Sequence, residues 1–95
     1  NMDFKEEIKT GRVLVDFWAA WCGPCKMLIK TLDKYSEEVS EVKVLKINVD
    51  EESDIAAEYG IRSIPTLLYF EDGEIVERQT GNVPLATIKE LTKIN

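Results

Sequence analysis

Between Arg12 and Val49 the hydrophobic period of the chain changes twice, and that change restricts the fold more than any other feature. The run R-V-L-V-D-F-W, Arg12 to Trp18, is rich in β-branched and aromatic residues and is apolar on both faces, the pattern of a central strand in a parallel sheet. Cys25, Leu28, Leu32, Tyr35 and Val39 then step by three and four, which predicts one apolar face of a helix reaching about Glu38, with Pro24 in its first turn. Val42 to Val49, V-K-V-L-K-I-N-V, returns to a strand pattern. Strand, helix and strand in this order predict a right-handed βαβ unit with the two strands parallel.

The flanking segments add elements to the same sheet. Upstream, D-F-K-E-E-I-K-T-G predicts a short helix: Asp3 caps it, Glu6 follows three positions on, Phe4 and Ile8 share a face, and Gly11 ends it. Downstream, a helix from about Ser53 to Tyr59 is stopped by Gly60. The runs T-L-L-Y-F-E and E-I-V-E-R-Q are joined by Asp72-Gly73, which suits a type I′ hairpin and makes this pair antiparallel. Pro84 opens a last helix whose Leu85, Ile88 and Leu91 form one stripe, ending near Ile94. The expected architecture is α/β, a mixed central sheet with helices on both faces. With 95 residues and no repeat, linker or low-complexity segment, residues 1–95 are expected to form a single domain around one core.

Composition narrows the function classes. Twelve Lys and Arg against eighteen Asp and Glu give a net charge of −6, so the basic field that a nucleic acid requires is missing. The longest apolar runs are too short to span a bilayer. No basic region followed by an apolar stretch and a small-residue cleavage site is present, so the expected location is the cytoplasm. Asn1 ahead of Met2 reads as an added residue. No surface stripe calls for an oligomer, and a monomer is expected.

Both cysteines of the chain lie in A-W-C-G-P-C-K, Ala20 to Lys26. The βαβ pattern places Cys22 at the exit of a central strand and the entrance of a helix, where α/β proteins build their sites. Free N–H groups and the positive helix end favour a thiolate there, so Cys22 is the expected nucleophile. Cys25 lies one turn further along the apolar stripe. Such a pair performs thiol–disulfide exchange: Cys22 attacks a substrate disulfide, and Cys25 attacks Cys22 to release the reduced product. Gly23 and Pro24 place neither a charge nor an imidazole beside Cys22, which favours a reductant over a strong oxidant. A structural staple closing so short a loop adds little stability and would be reduced in the cytosol. A zinc site needs about four ligands, and the chain has two cysteines and no histidine.

Asp16 interrupts the apolar run between Val15 and Phe17. A carboxyl on a central strand is expected to have a raised pKa and to lie near a functional group. It reads either as a proton acceptor and donor for Cys25, through water, or as a structural Asp hydrogen-bonded at a strand end. Lys46, polar in the neighbouring strand, either reaches Asp16 or is an ordinary exposed lysine. In G-I-R-S-I-P-T, Pro65 opens a strand, where it cannot donate to a ladder. From sequence alone only about 5% of X–Pro bonds are cis.

At these residues the chain resembles the thioredoxin family. V-D-F-W-A-A-W-C-G-P-C-K is similar to the family's active-site segment, and N-V-D, Y-G-I-R-S-I-P-T-L-L-Y-F, the D-G-E hairpin and T-G-N-V-P follow in the family's order, so the resemblance runs from about Phe4 to Ile94. It implies the thioredoxin fold and a protein-disulfide reductase, with Cys22 attacking, Cys25 resolving, Asp16 the buried carboxylate and Lys46 beside it. It makes Pro65 a cis-proline facing the cysteines and leaves the Ile64 backbone free to pair with a substrate strand. Trp21, Gly23, Pro24, Ile64, Pro65 and Gly81 correspond to the family's apolar docking surface. The implied partners are a thioredoxin reductase and protein disulfides, with no bound cofactor beyond the redox-active Cys22–Cys25 pair.

Two departures are visible. Most members begin with a strand before the first helix, so here the sheet is expected to have four strands, with the first strand of the usual five short or absent. Lys30 stands where the family commonly has a helix-kinking proline, which predicts a straighter helix. A disulfide oxidase or isomerase, or a redox-inactive binding module, are the competing functions on this fold.

Overall fold

The computed structural model describes residues 2–95, so Asn1 and its reading lie outside the described residues. The elements are α1 (Phe4–Ile8), β1 (Arg12–Trp18), α2 (Gly23–Glu38), β2 (Val42–Asn48), α3 (Ser53–Glu58), β3 (Thr66–Glu71), β4 (Glu74–Thr80) and α4 (Leu85–Leu91). Four strands form one mixed sheet in the order β2-β1-β3-β4, and among the described residues no strand precedes α1. β1 runs parallel to β2 and antiparallel to β3, and β4 closes the hairpin with β3. No described helix is long and apolar enough to cross a membrane.

Strand alternation sends β1 side chains to two different cores. Val13, Val15 and Phe17 pack with Phe4 and Ile8 of α1, Ile47, Leu68 and Phe70, with Ile55 and Tyr59 of the α3 segment against them. Leu14 packs on the opposite face with Leu28, Leu32 and Tyr35 of α2, Leu67, Tyr69 and Ile88 of α4. Asp16 shares that second face, between Leu14 and Trp18. Helices therefore cover both sides of the sheet, and the α2 side carries the cysteines.

Local chemistry fixes the element ends. The Asp3 side chain accepts from the Glu6 N–H at 3.3 Å and caps α1. Asp72 and Gly73 take φ of 49° and 86°, the left-handed pair that a type I′ turn requires. The helix α2 continues through Lys30 without interruption. The last helix is shorter than the sequence suggests, ending at Leu91 and not near Ile94. Lys93 adopts φ 60°, its N–H bonds to the Glu90 carbonyl, and the Ile94 N–H reaches back to Lys89, a Schellman closure that stops the helix without a glycine.

Candidate active site

The chain leaves β1 at Trp18, and the Cys22 N–H bonds to the Ala19 carbonyl at 3.2 Å, which turns it into α2. Cys22 is the N-cap of α2, in an extended conformation, and its sulfur accepts from the Cys25 N–H at 3.2 Å. The two cysteines are joined as a disulfide, with their Cα atoms 5.3 Å apart. Cys25 is completely buried, and Cys22 keeps only 5% of its surface exposed. Ala19, Trp18, Val49 and Ile64 pack around the pair.

A second segment approaches from the opposite side. The Ile64–Pro65 peptide is cis, and the Ile64 carbonyl oxygen lies 3.9 Å from the Cys22 sulfur. The Thr66 hydroxyl donates to the Ser63 carbonyl, which closes this loop at the start of β3. The Gly81 N–H donates to the Pro65 carbonyl at 2.8 Å, so the segment after β4 lies beside the proline. Gly81 has φ 87°, a conformation that side chains rarely adopt.

Trp21 is 71% exposed, yet it is held: its indole N–H donates to the Asp50 carboxylate at 2.9 Å. Asn48 in turn accepts from the Asp50 N–H, which sets the turn that presents Asp50. Trp21 walls an open cavity of about 170 Å³ whose other lining residues are Val49, Ile61, Arg62, Ser63 and Ile64. The cavity is largely apolar with one cation at its edge. Together with exposed Gly23 and Pro24, it gives the disulfide an apolar border on which an extended chain can lie.

Asp16 has no exposed surface, and neither carboxyl oxygen has a hydrogen-bond partner among the described residues. Burial pushes its carboxyl up to about 7, an effect that the positive charge of Lys46 partly offsets. Lys46 is the β2 partner of Asp16 in register, but its ammonium lies 3.1 Å from Asp33 on α2. The Trp18 indole N–H, two residues from Asp16 on the same face, is likewise buried without a partner.

Eight of the ten sequence-derived site residues thus gather at one end of the sheet: Trp21, Cys22, Gly23, Pro24, Cys25, Ile64, Pro65 and Gly81. Asp16 lies beneath α2 on the strand that leads to them, and Lys46 points its charge to the rim of α2. Asp50 and Arg62 escape a reading by motif, although N-V-D at the end of a strand is a sequence signal for a side-chain-capped turn that places a carboxylate beside the site. Among the described residues, no three His, Cys, Asp or Glu side chains converge on a metal-holding position. Chemically, the site offers a dithiol–disulfide couple whose first sulfur sits at a helix N-terminus.

Comparison with known proteins agrees with this geometry. The thioredoxin family model matches residues 1–93. The chain is 53% identical over 91 residues to a thioredoxin of Pyropia yezoensis, covering 93% of this chain and 85% of the relative. It is 46% identical over 92 residues to a thioredoxin of Bacillus subtilis (strain 168), covering 96% and 88%. The oxidized form of mitochondrial thioredoxin 3 from Saccharomyces cerevisiae superposes with a TM-score of 0.89 at 34% identity, covering 97% of this chain and 88% of that one. A match of this extent, over a cysteine pair already closed as a disulfide, makes the chain a member of the thioredoxin family and a thiol–disulfide oxidoreductase that reduces protein disulfides through that pair.

Proposed function

We propose a division of labour among the site residues for the reduction of protein disulfides. Cys22, as thiolate, attacks one sulfur of the substrate disulfide; a Cys22–substrate bond forms, and the other substrate sulfur leaves and takes up a proton. Cys25, once deprotonated, attacks the Cys22 sulfur. The mixed disulfide breaks, the second substrate thiol leaves, and the Cys22–Cys25 disulfide remains. Asp16 accepts the Cys25 proton through water, a role supported by its burial without a partner and by a pKa near neutrality. Lys46 limits how far that pKa rises.

The observation that carries this reading is the position of Cys22: it caps a sixteen-residue helix, bonded to the amide of its own resolving cysteine. The helix end stabilises the negative sulfur in each step where Cys22 attacks or leaves. Trp21, Gly23, Pro24, Ile64, Pro65 and Gly81 form the surface on which the substrate docks, with its backbone paired to that of Ile64. Membership of the family brings a thioredoxin reductase and disulfide-bearing proteins as partners. We place the protein in the cytoplasm as a monomer, as a single domain carrying electrons from that reductase to its substrates and contributing to cellular redox balance.

Substituting each cysteine tests these roles. Cys22→Ser is expected to abolish reduction of a protein disulfide, and Cys25→Ser to stall as a covalent adduct with the substrate, visible by mass spectrometry without reductant. Turnover by Cys22→Ser, or an adduct formed through Cys25 in that variant, would reverse the proposed order of attack.

A further inference from the structure

Asp16 and Lys46 face each other across the parallel pair β1–β2. Partners in adjacent strands are about 5 Å apart, and opposite charges at such positions ordinarily pair. These two do not. The Lys46 ammonium turns outward to the Asp33 carboxylate at 3.1 Å, and both Asp16 oxygens are left without a partner among the described residues. Asp33 lies on α2, one residue beyond Leu32, a core residue on the face that covers Asp16.

We propose that Asp33 is a positioning residue, holding the Lys46 ammonium at the rim of α2 so that the Asp16 carboxyl keeps no cation partner. This role rests on Asp16 being the proton carrier of the proposed reaction. A carboxylate in a direct ion pair stays ionised and cannot return a proton, whereas one without a partner in an apolar setting can exchange it near neutral pH. The other groups on that face leave Lys46 as the decisive one. Leu14 and Trp18 flank Asp16 on its own strand, and Leu67 is its partner on β3. From α2 come Cys25, Leu28 and Leu32, and from α4 come Leu85, Ile88 and Leu91. Tyr35 and Tyr69 also line that face, but their hydroxyls are bonded to Thr92 and to Arg12 and Glu71, at the far end of β1, which leaves Lys46 and the reduced Cys25 thiol as the ionisable groups that bear on Asp16.

Both partners of the Lys46–Asp33 pair are partly exposed, at 38% and 62% of their side-chain surface, so the pair itself adds little stability. Removing it therefore leaves the fold in place while freeing the lysine. The negative charge of Asp33 also weakens the field of Lys46 at Asp16, and its removal acts in the same direction as release of the ammonium.

The test is a pH titration of the Asp16 carboxyl carbon by NMR, together with the pH profile of single-turnover disulfide reduction, in wild type, D33N, D33E, K46M and the D33N/K46M double variant. D33N is expected to move both midpoints down by about one pH unit, as an opposite charge brought close to a carboxyl does. D33E should restore the wild-type profile, and in the K46M background D33N should shift little. An Asp16 midpoint unmoved in D33N, or one moved equally with and without Lys46, overturns the proposal. A displaced Asp16 titration with an unchanged reaction profile upholds the restraint on Lys46 and removes Asp16 as the proton carrier.

Discussion

Asp16 places an ionisable group on a buried central strand, away from bulk solvent, and the cost depends on pH. Its folded pKa, about 7, lies above the ordinary 3.8, so the folded protein holds the proton more tightly than the unfolded chain. Below the ordinary value both states are protonated and no penalty exists. As pH rises from about 4 towards 7 the unfolded state ionises first and stability falls, reaching a full loss of order 4 kcal/mol above 7. Asp16→Asn, which cannot ionise, is expected to be more stable than wild type by about 2–4 kcal/mol at about pH 8, with no gain near pH 4. Urea unfolding at the two pH values checks this, and an equal gain at both would show that ionisation is not the cause. At this scale the sequence is readable where a residue contradicts its surroundings: Asp16 stands out in an apolar strand, as do two cysteines flanking Gly-Pro. Lys46 contradicts nothing, because a long side chain on an edge strand reaches an inner or an outer carboxylate equally well, and only packing selects Asp33.

Elements assemble around the site by short-range chemistry that the sequence records well. The type I′ turn is legible because Asp72 and Gly73 are residues that tolerate positive φ. Less legible is what the turn touches: the Gly11 N–H donates to the Asp72 carboxylate at 2.7 Å, and the Asp72 N–H donates to the Gly11 carbonyl at 2.9 Å. These two bonds tie the β3–β4 hairpin to the entrance of β1, a contact spanning some sixty residues that no local pattern encodes. Asp72→Ala gives up the side-chain bond and places a Cβ residue with poorer left-handed tolerance at φ 49°, so a loss of about 1–2 kcal/mol is expected. Asp72→Asn keeps both the acceptor and the tolerance and should recover most of it. Denaturant midpoints of the two variants measure the difference. The end of α4 eludes the pattern for a related reason: Lys93, and not glycine, takes the left-handed closing position, so the apolar stripe gives no stop signal before Ile94.

Across the whole molecule, the cysteine end and the opposite end of β1 meet different demands. At the far end Arg12 donates to the Tyr69 hydroxyl at 2.7 Å and to the Thr92 carbonyl, while the Thr92 hydroxyl pairs with that of Tyr35 at 2.6 Å and donates to Ile88. β1, β3, α2 and α4 are joined there through polar atoms whose needs are met. Towards the cysteine end, Asp16 and Trp18 keep buried polar atoms without partners among the described residues. Buried polar groups are normally satisfied, so the imbalance falls at the end where chemistry occurs. Two variants should then act with opposite signs. Thr92→Val leaves the buried Tyr35 hydroxyl unpaired and is expected to cost about 1–3 kcal/mol, with the disulfide-reduction rate unchanged. Asp16→Asn is expected to raise stability at alkaline pH and to slow the release of substrate from the mixed disulfide. Measured together by chemical unfolding at alkaline pH and single-turnover reduction, the two should move in opposite directions in stability, and only Asp16→Asn should change the rate. A Thr92→Val protein that remains folded but reduces disulfides more slowly would show that the two ends are coupled, and that the polar network helps to position the cysteine end of α2.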